Sequence, residues 1–332
     1  MTELSPDESP WSRPSPGLPQ RRPAAPADPG GPALPQRPVP PGIPRRADPG
    51  APAQPGLSLP RRTTAVRRTG RHRSAHRISV DPDAPALVLA VPAGGSPAER
   101  DLAERIAETA AQSCPGAAIR VADLGTGPDS LAELLRSAPP GSAGHKLPHA
   151  VVVPLLAGPH PAFDAELASA VGRSPVPVML AAHLGPHPLL AEALHDRLSQ
   201  AGLARASRAR GLSISAGSDG VLVVVDRGPQ ALRDAGVTAV LLAARLAVPA
   251  APASLDDPAS LGEALARLRE TGSARPAISP CVVGPESDPS EFGRLAAALG
   301  APSAAPLADH PAVAQLVAIR YGEALARISV AG

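Results

Sequence analysis

The sequence predicts an α/β protein made of two similar half-domains, each a mainly parallel four-stranded sheet flanked by helices, after a disordered N-terminal tail. Three observations carry this. From Ala86 onward, short apolar runs alternate with amphipathic helical windows, the pattern of βαβ units. Two motifs recur at nearly the same spacing: Pro154-Leu-Leu-Ala-Gly158-Pro159-His160 matches Pro280-Cys-Val-Val-Gly284-Pro285-Glu286 at an offset of 126, and Leu184-Gly-Pro-His187-Pro188 matches Leu307-Ala-Asp-His310-Pro311 at 123. Composition also breaks along the chain: 18 of the 45 prolines fall in the first 60 residues, which hold almost no apolar run. Such a segment buries too little surface to offset its ordering entropy.

Charge divides at the same place. Residues 1–77 hold 13 Arg and no Lys against 5 acids, net +8, and residues 78–332 carry net −6, so the overall +2 describes the tail rather than the fold. Arg61, Arg62, Arg67, Arg68, Arg71, Arg73 and Arg77, with His72 and His76, form a basic run free of acids. Contact with nucleic acid or anionic lipid and a solvated arm both fit it, and the lack of interleaved aromatics favours the arm. No apolar stretch forms a signal peptide or approaches the ~20 residues of a membrane span. Cys114 and Cys281 stand without CxxC spacing and read as buried thiols of a reducing compartment, so the expected location is the cytoplasm.

In order, Ala86–Pro92 is a first strand, the loop 93–96 follows, and Pro97–Gln112 is a helix whose Leu102, Ala103, Ile106, Ala107 and Ala110 form one apolar stripe. Ala118–Ala122 is a strand and Asp129–Ser137 a helix. The run from Val151 is a strand covered on both faces. Phe163–Val171 is helical, Val176–Ala182 a strand and His187–Ala201 a helix. The pattern restarts with strand Val221–Val225, helix Pro229–Leu246, a weak strand over 248–254 and helix Pro258–Glu270. Strand Ala277–Val283, helix Pro289–Leu299, a short strand over 303–307 and helix Pro311–Ile328 complete it. The domains are therefore 86–202 and 220–328, joined by an Arg-, Ser- and Gly-rich linker over 203–219.

The candidate site centres on His160, at the C-terminal end of the apolar strand, where open α/β sheets bind ligands. A solvated loop histidine has the same local signature. Glu286 occupies the matching place in the second half, and a solvated loop acid is its alternative. Ser96 and Gly95 precede a helix whose N–H groups suit an anionic group. His183 and His187 stand four apart, but Gly185 and Pro186 argue against a shared helical face, so His187 reads as a helix opener matched by His310. His145 and His149 are separated by the helix-breaking Pro148, and His195 reads as a surface residue of an amphipathic helix. No GxxxxGK[ST] or GxGxxG is present, so no nucleotide is expected.

The order of strand, Gly-Ser loop and helix, then VVVPLLAGPH with Asp164, HLGPHPLLAEAL and LADHPAVAQLVAIRYGEALA, resembles the CbiX-type sirohydrochlorin chelatases, class II chelatases that insert cobalt or ferrous iron into a tetrapyrrole without ATP. The resemblance covers residues 86–327. It implies two chelatase-like half-domains facing each other across a cleft, His160 as metal ligand and catalytic base, and a substrate contact at Gly95, Ser96 and Gly158. It implies a tetrapyrrole substrate and Co2+ or Fe2+ as co-substrate, for cobalamin or siroheme biosynthesis. Glu286 is a further catalytic candidate through the repeat. Where the family carries the histidine of an AHGS-like motif, this chain reads Ala93-Gly94-Gly95-Ser96, with Gly94 in the histidine's place. That departure keeps open a second reading, a non-catalytic tetrapyrrole- or metal-binding paralogue.

Overall fold

A computed structural model gives the fold. It describes Val80 and residues 84–92, 96–137, 148–204, 217–284 and 286–331. The expected tail over 1–77, Gly94, Gly95, His145 and most of the expected linker lie outside the described residues. The chain divides between Arg67 and Arg68, and every described residue belongs to the second unit.

The first half runs β1 (Ala86–Val91), α1 (Pro97–Ala111), β2 (Ile119–Asp123), α2 (Leu131–Arg136), β3 (Ala150–Pro154), α3 (Pro161–Gly172), β4 (Val178–Leu180) and α4 (Pro188–Gln200). The second runs β5 (Gly220–Val225), α5 (Pro229–Leu246), β6 (Ala250–Ser254), α6 (Pro258–Glu270), β7 (Pro276–Pro280), α7 (Pro289–Leu299) and α8 (Pro311–Ala331). Prolines open these helices: α1, α3, α4, α5, α6 and α7 each carry Pro in the first turn. There the missing N–H has no intrahelical partner to lose and the fixed φ is already helical.

Both sheets are parallel, in the orders β2-β1-β3-β4 and β6-β5-β7. Ala90 pairs with Pro154 in the first and Val224 with Pro280 in the second. The repeated prolines therefore hold the same register position, and the motif match is structural. The second sheet departs from the expected four strands: residues 303–307 contribute only an isolated bridge between Ile278 and Ser303. Pro302 precedes that segment and Pro306 lies within it, and each removes a donor a ladder needs. Pro175 and Pro177 likewise shorten the strand expected over 176–182 to Val178–Leu180.

Five layers result. Helices α2 and α3 cover one face of the first sheet, through Val88, Val152, Leu135 and Phe163, and α6 and α7 cover the outer face of the second. Between the sheets lies a shared core drawn from α1, α4, α5 and α8 with the inner faces of β1, β3, β5 and β7. Each half's last helix reaches the opposite sheet: α4 touches β7 and α8 touches β3. The buried Tyr321 of α8 donates its hydroxyl to the Pro85 carbonyl at 2.6 Å, tying the end of the chain to the start of β1. His195, expected at the surface, is buried in this arrangement because the opposite half covers that face of α4, and its Nδ1 lies 3.1 Å from Asp196 Oδ1. Among the described residues no helix is long and apolar enough to cross a membrane.

Candidate site between the two halves

Strand β3 delivers the chain through buried Leu155, Leu156 and Ala157 to the Gly158-Pro159 turn, and His160 caps α3. Its Nδ1 accepts the Phe163 N–H at 3.2 Å, while its own N–H donates to Asp164 Oδ2 at 3.1 Å. These two bonds fix the ring and its backbone independently. Because Nδ1 is an acceptor, the neutral imidazole carries its hydrogen on Nε2.

Nε2 faces the second half. It lies 3.5 Å from Asp226 Oδ2, the residue that follows β5, and the Asp226 side chain is almost wholly buried. Arg227 flanks the same carboxylate, with Nε 2.5 Å from Oδ2. The approach depends on Gly228, which caps α5 with φ +95: a Cβ there would lie 3.2 Å from Pro161 Cδ. The mirrored loop is as close on its side, since Gly284, with φ +141, faces Leu102 of α1.

Asp164 extends the cluster. Its Oδ1 lies 2.8 Å from His183 Nε2, so one carboxylate joins the backbone of His160 to a second imidazole. The sequence reading gave His183 no ligand role, and the structure places it one bond from the His160 loop. His187 instead caps α4 through Nδ1, accepting the Leu189 N–H at 3.1 Å, and His310 does the same for Ala312 in the second half. Burial, and then the nearby Arg320, hold His187 below the usual imidazole range.

Glu286 turns back on its own loop, accepting the Val283 and Gly284 N–H groups at 2.6 and 2.7 Å. Burial pushes its pKa up to about 7, against those amides and the Ala157 amide of the first half. Among the described residues the acid paired with His160 is Asp226 and not Glu286. Ser96 caps α1 in a reciprocal capping box with Glu99. Gly158 faces Ala231 of α5 with room for a side chain, at 3.9 Å from a Cβ.

Asp226 was missed by sequence reasoning. The usable signal was the repeat: counted back from the helix caps Ser96 and Gly228, Asp226 falls in the place of Gly94. Beside it lies an open cavity of about 310 Å³ bounded by Arg227, Leu255, Asp256, Glu291 and Arg294. Among the described residues no group of three or more His, Cys, Asp or Glu side chains is placed to hold a metal ion.

No protein-family model matches the sequence, and no curated protein matches it. Among solved structures, SirB from Bacillus subtilis with Fe3+ matches with a TM-score of 0.53 at 17% identity, over 74% of this chain and 98% of that one. The sirohydrochlorin chelatase SirB from Bacillus subtilis subspecies spizizenii in complex with cobalt matches at 0.49 and 16% identity, over 72% and 95%. DR2241 from Deinococcus radiodurans, a multi-domain protein with structural similarity to chelatases, matches at 0.47 and 19% identity, over 72% of this chain and 54% of that one. The likeness to SirB is one of fold: this chain has a chelatase-type α/β fold.

Proposed function

We propose that this protein is a chelatase-like enzyme that places Co2+ or Fe2+ into a tetrapyrrole of the sirohydrochlorin type, with His160 as metal ligand and proton acceptor. The observation that carries the reading is the position of His160: a fixed imidazole at the carboxyl end of a central strand, facing the opposite half of a fold shared with SirB. Two pyrrole protons must leave as the ion enters, and a neutral imidazole suits both tasks near neutral pH.

The tautomer sets the cost. For Nε2 to take an ion, its hydrogen must leave and Nδ1 becomes the protonated nitrogen, so the cap bond from Phe163 is given up. An N-cap is worth about 0.5–2 kcal/mol, small beside the roughly 10 kcal/mol or more of a tight divalent-ion site. Asp164 holds the His160 backbone throughout. Glu286, with its pKa near 7, is the second proton acceptor in this reading. Ser96 and Gly158 belong to the loops at the strand ends, where substrate carboxylates would meet backbone N–H groups, and Gly95 is the third substrate contact in this reading. Cys114 and Cys281, both free and buried, support placing the protein in the cytoplasm.

A second reading, a protein that binds metal or tetrapyrrole without turnover, is favoured by Gly94 in the motif and by the engagement of the His160 ring as a helix cap. The absorbance of sirohydrochlorin with Co2+ or Fe2+, followed with the parent and with His160→Ala, separates the two. Insertion above the metal-only control that is lost in the variant supports the enzyme. Insertion at the parent rate by His160→Ala overturns the site. Metal binding without insertion by the parent leaves the binding protein.

A further inference from the structure

We propose that His183 is a positioning residue of the candidate site, acting through Asp164 to hold the seat of His160, a role that rests on the functional assignment of His160 above. The two imidazoles come from the carboxyl ends of neighbouring strands: β3 leads to His160, and β4, its partner in the sheet, leads to His183. Asp164 stands between them. Its Oδ1 lies 2.8 Å from His183 Nε2, and its Oδ2 accepts the His160 N–H at 3.1 Å. An ionised carboxylate only accepts, so His183 Nε2 carries a hydrogen and donates it. That bond fixes which way the carboxylate turns and leaves Oδ2 for the His160 backbone.

His183 can hold Asp164 because its own backbone is held from both halves. Arg320 of α8 donates to the His183 and Leu184 carbonyls at 2.7 and 3.0 Å. The next residues lie against the chain that leads into His160: the Leu184 and Gly185 N–H groups donate to the Leu156 and Ala157 carbonyls at 3.1 and 3.0 Å. The approach there is close enough that a Cβ on Gly185 would lie 2.6 Å from the Ala157 oxygen. The demand on His183 is greatest when His160 works. Once Nδ1 gives up the Phe163 N–H, the Asp164 carboxylate is the side chain that still holds this cap. A displacement of about 1 Å at a reacting group can cost on the order of a hundredfold in rate, so a brace one carboxylate away matters more to turnover than to folding.

The test reads the His160 ring directly. Nitrogen NMR of the full chain with isotope-labelled histidine, in mildly alkaline buffer without metal, reports its tautomer, and His160→Ala identifies its signals by their loss. The parent is expected to show one tautomer, with the hydrogen on Nε2. His183→Ala, confirmed as folded by circular dichroism, is expected to show the two tautomers averaging. His183→Gln, whose amide nitrogen takes the place of Nε2 as donor to Asp164, is expected to restore the single one. In Co2+ insertion into sirohydrochlorin, His183→Ala is expected to lose at least about tenfold in kcat with KM near that of the parent, and His183→Gln to recover most of it. A His160 ring as uniform in His183→Ala as in the parent overturns the proposal. So does a His183→Gln spectrum that matches His183→Ala, since the bond to Asp164 would then carry nothing. A parent that inserts no metal while the spectra follow the expected pattern removes the insertion reading and still supports His183 as the brace of His160.

Discussion

Arg197 and Arg320 stand 123 residues apart, and each donates to a loop of the opposite half: Arg197 Nη2 to the Leu307 carbonyl at 2.7 Å, and Arg320 Nε and Nη2 to those of His183 and Leu184 at 2.7 and 3.0 Å. Leu184 and Leu307 are themselves 123 apart. The duplication thus survives as a pair of exchanged bonds, from α4 to the loop before α8 and from α8 to the loop before α4. The same arginines sit beside the helix-capping His187 and His310 and, after burial, hold both below the ordinary imidazole range.

The exchange is unequal, and stability should follow the inequality. Arg320 satisfies two carbonyls and pairs with Glu323, whereas Arg197 satisfies one carbonyl, donates to Gln200, lies 3.7 Å from Asp309 and leaves its Nε without a partner among the described residues. A hydrogen bond to a charged donor contributes about 1.5–3 kcal/mol. Arg320→Met is therefore expected to cost about 2–4 kcal/mol in urea unfolding, and Arg197→Met clearly less. Equal costs would mean that the carbonyl bonds do not set the difference.

Two groups of opposite sign shape the pH profile. His187 and His310 have depressed folded-state pKa values, so the unfolded chain binds more protons, and the stability present above about pH 6.5 is lost as pH falls. Glu286 is raised from 4.5 to about 7, so its contribution is fully present below 4.5 and is lost as pH rises to 7. Glu286→Gln should remove that second slope. Relative to the variant, the parent is expected to lose up to about 3 kcal/mol between pH 4.5 and 7. Denaturant midpoints of the two proteins that run parallel across this window would show that Glu286 does not titrate there.

At Gly228 conformation and space act together. The φ of +95 disfavours any side chain, and a Cβ would meet Pro161 Cδ at 3.2 Å, in the residue after His160. Gly228→Ala is expected to cost about 1–2 kcal/mol in urea unfolding and to widen the gap between His160 and Asp226. Gly158→Ala, with ordinary contacts around it, is the matched control and is expected to change stability by less than about 1 kcal/mol.

Much of this was legible because its determinants are local. Prolines mark the helix starts, apolar runs mark the buried strands, and Pro154 and Pro280 announced a repeat that the sheet registers bear out. The fold class followed. What depends on where one half meets the other did not follow: a lone aspartate after VLVVV gives no sign that it faces His160, 66 residues earlier. His195 looked solvated because its helix was read alone, and the covering elements come from the opposite half. The strand expected over 303–307 failed for a local reason, since its prolines outweighed its apolar residues.

The shared core argues that neither half is self-sufficient. Leu190, Leu194 and Leu198 of α4 and Val313, Leu316, Val317 and Tyr321 of α8 are buried in the one cluster that joins the two sheets. Exposing a buried leucine or valine forfeits about 1.5–3 kcal/mol, so uncovering a few exhausts the roughly 5–15 kcal/mol that stabilises a domain. Residues 84–204 alone are therefore expected to aggregate or to remain without a cooperative unfolding transition, and co-expression with residues 217–331 is expected to yield a soluble complex that unfolds as one. The measurement is a denaturation curve with sedimentation on each fragment and on the pair. A monomeric first half with a sharp transition of its own would mean that the exchange of α4 and α8 came after two independent folds and does not hold them together.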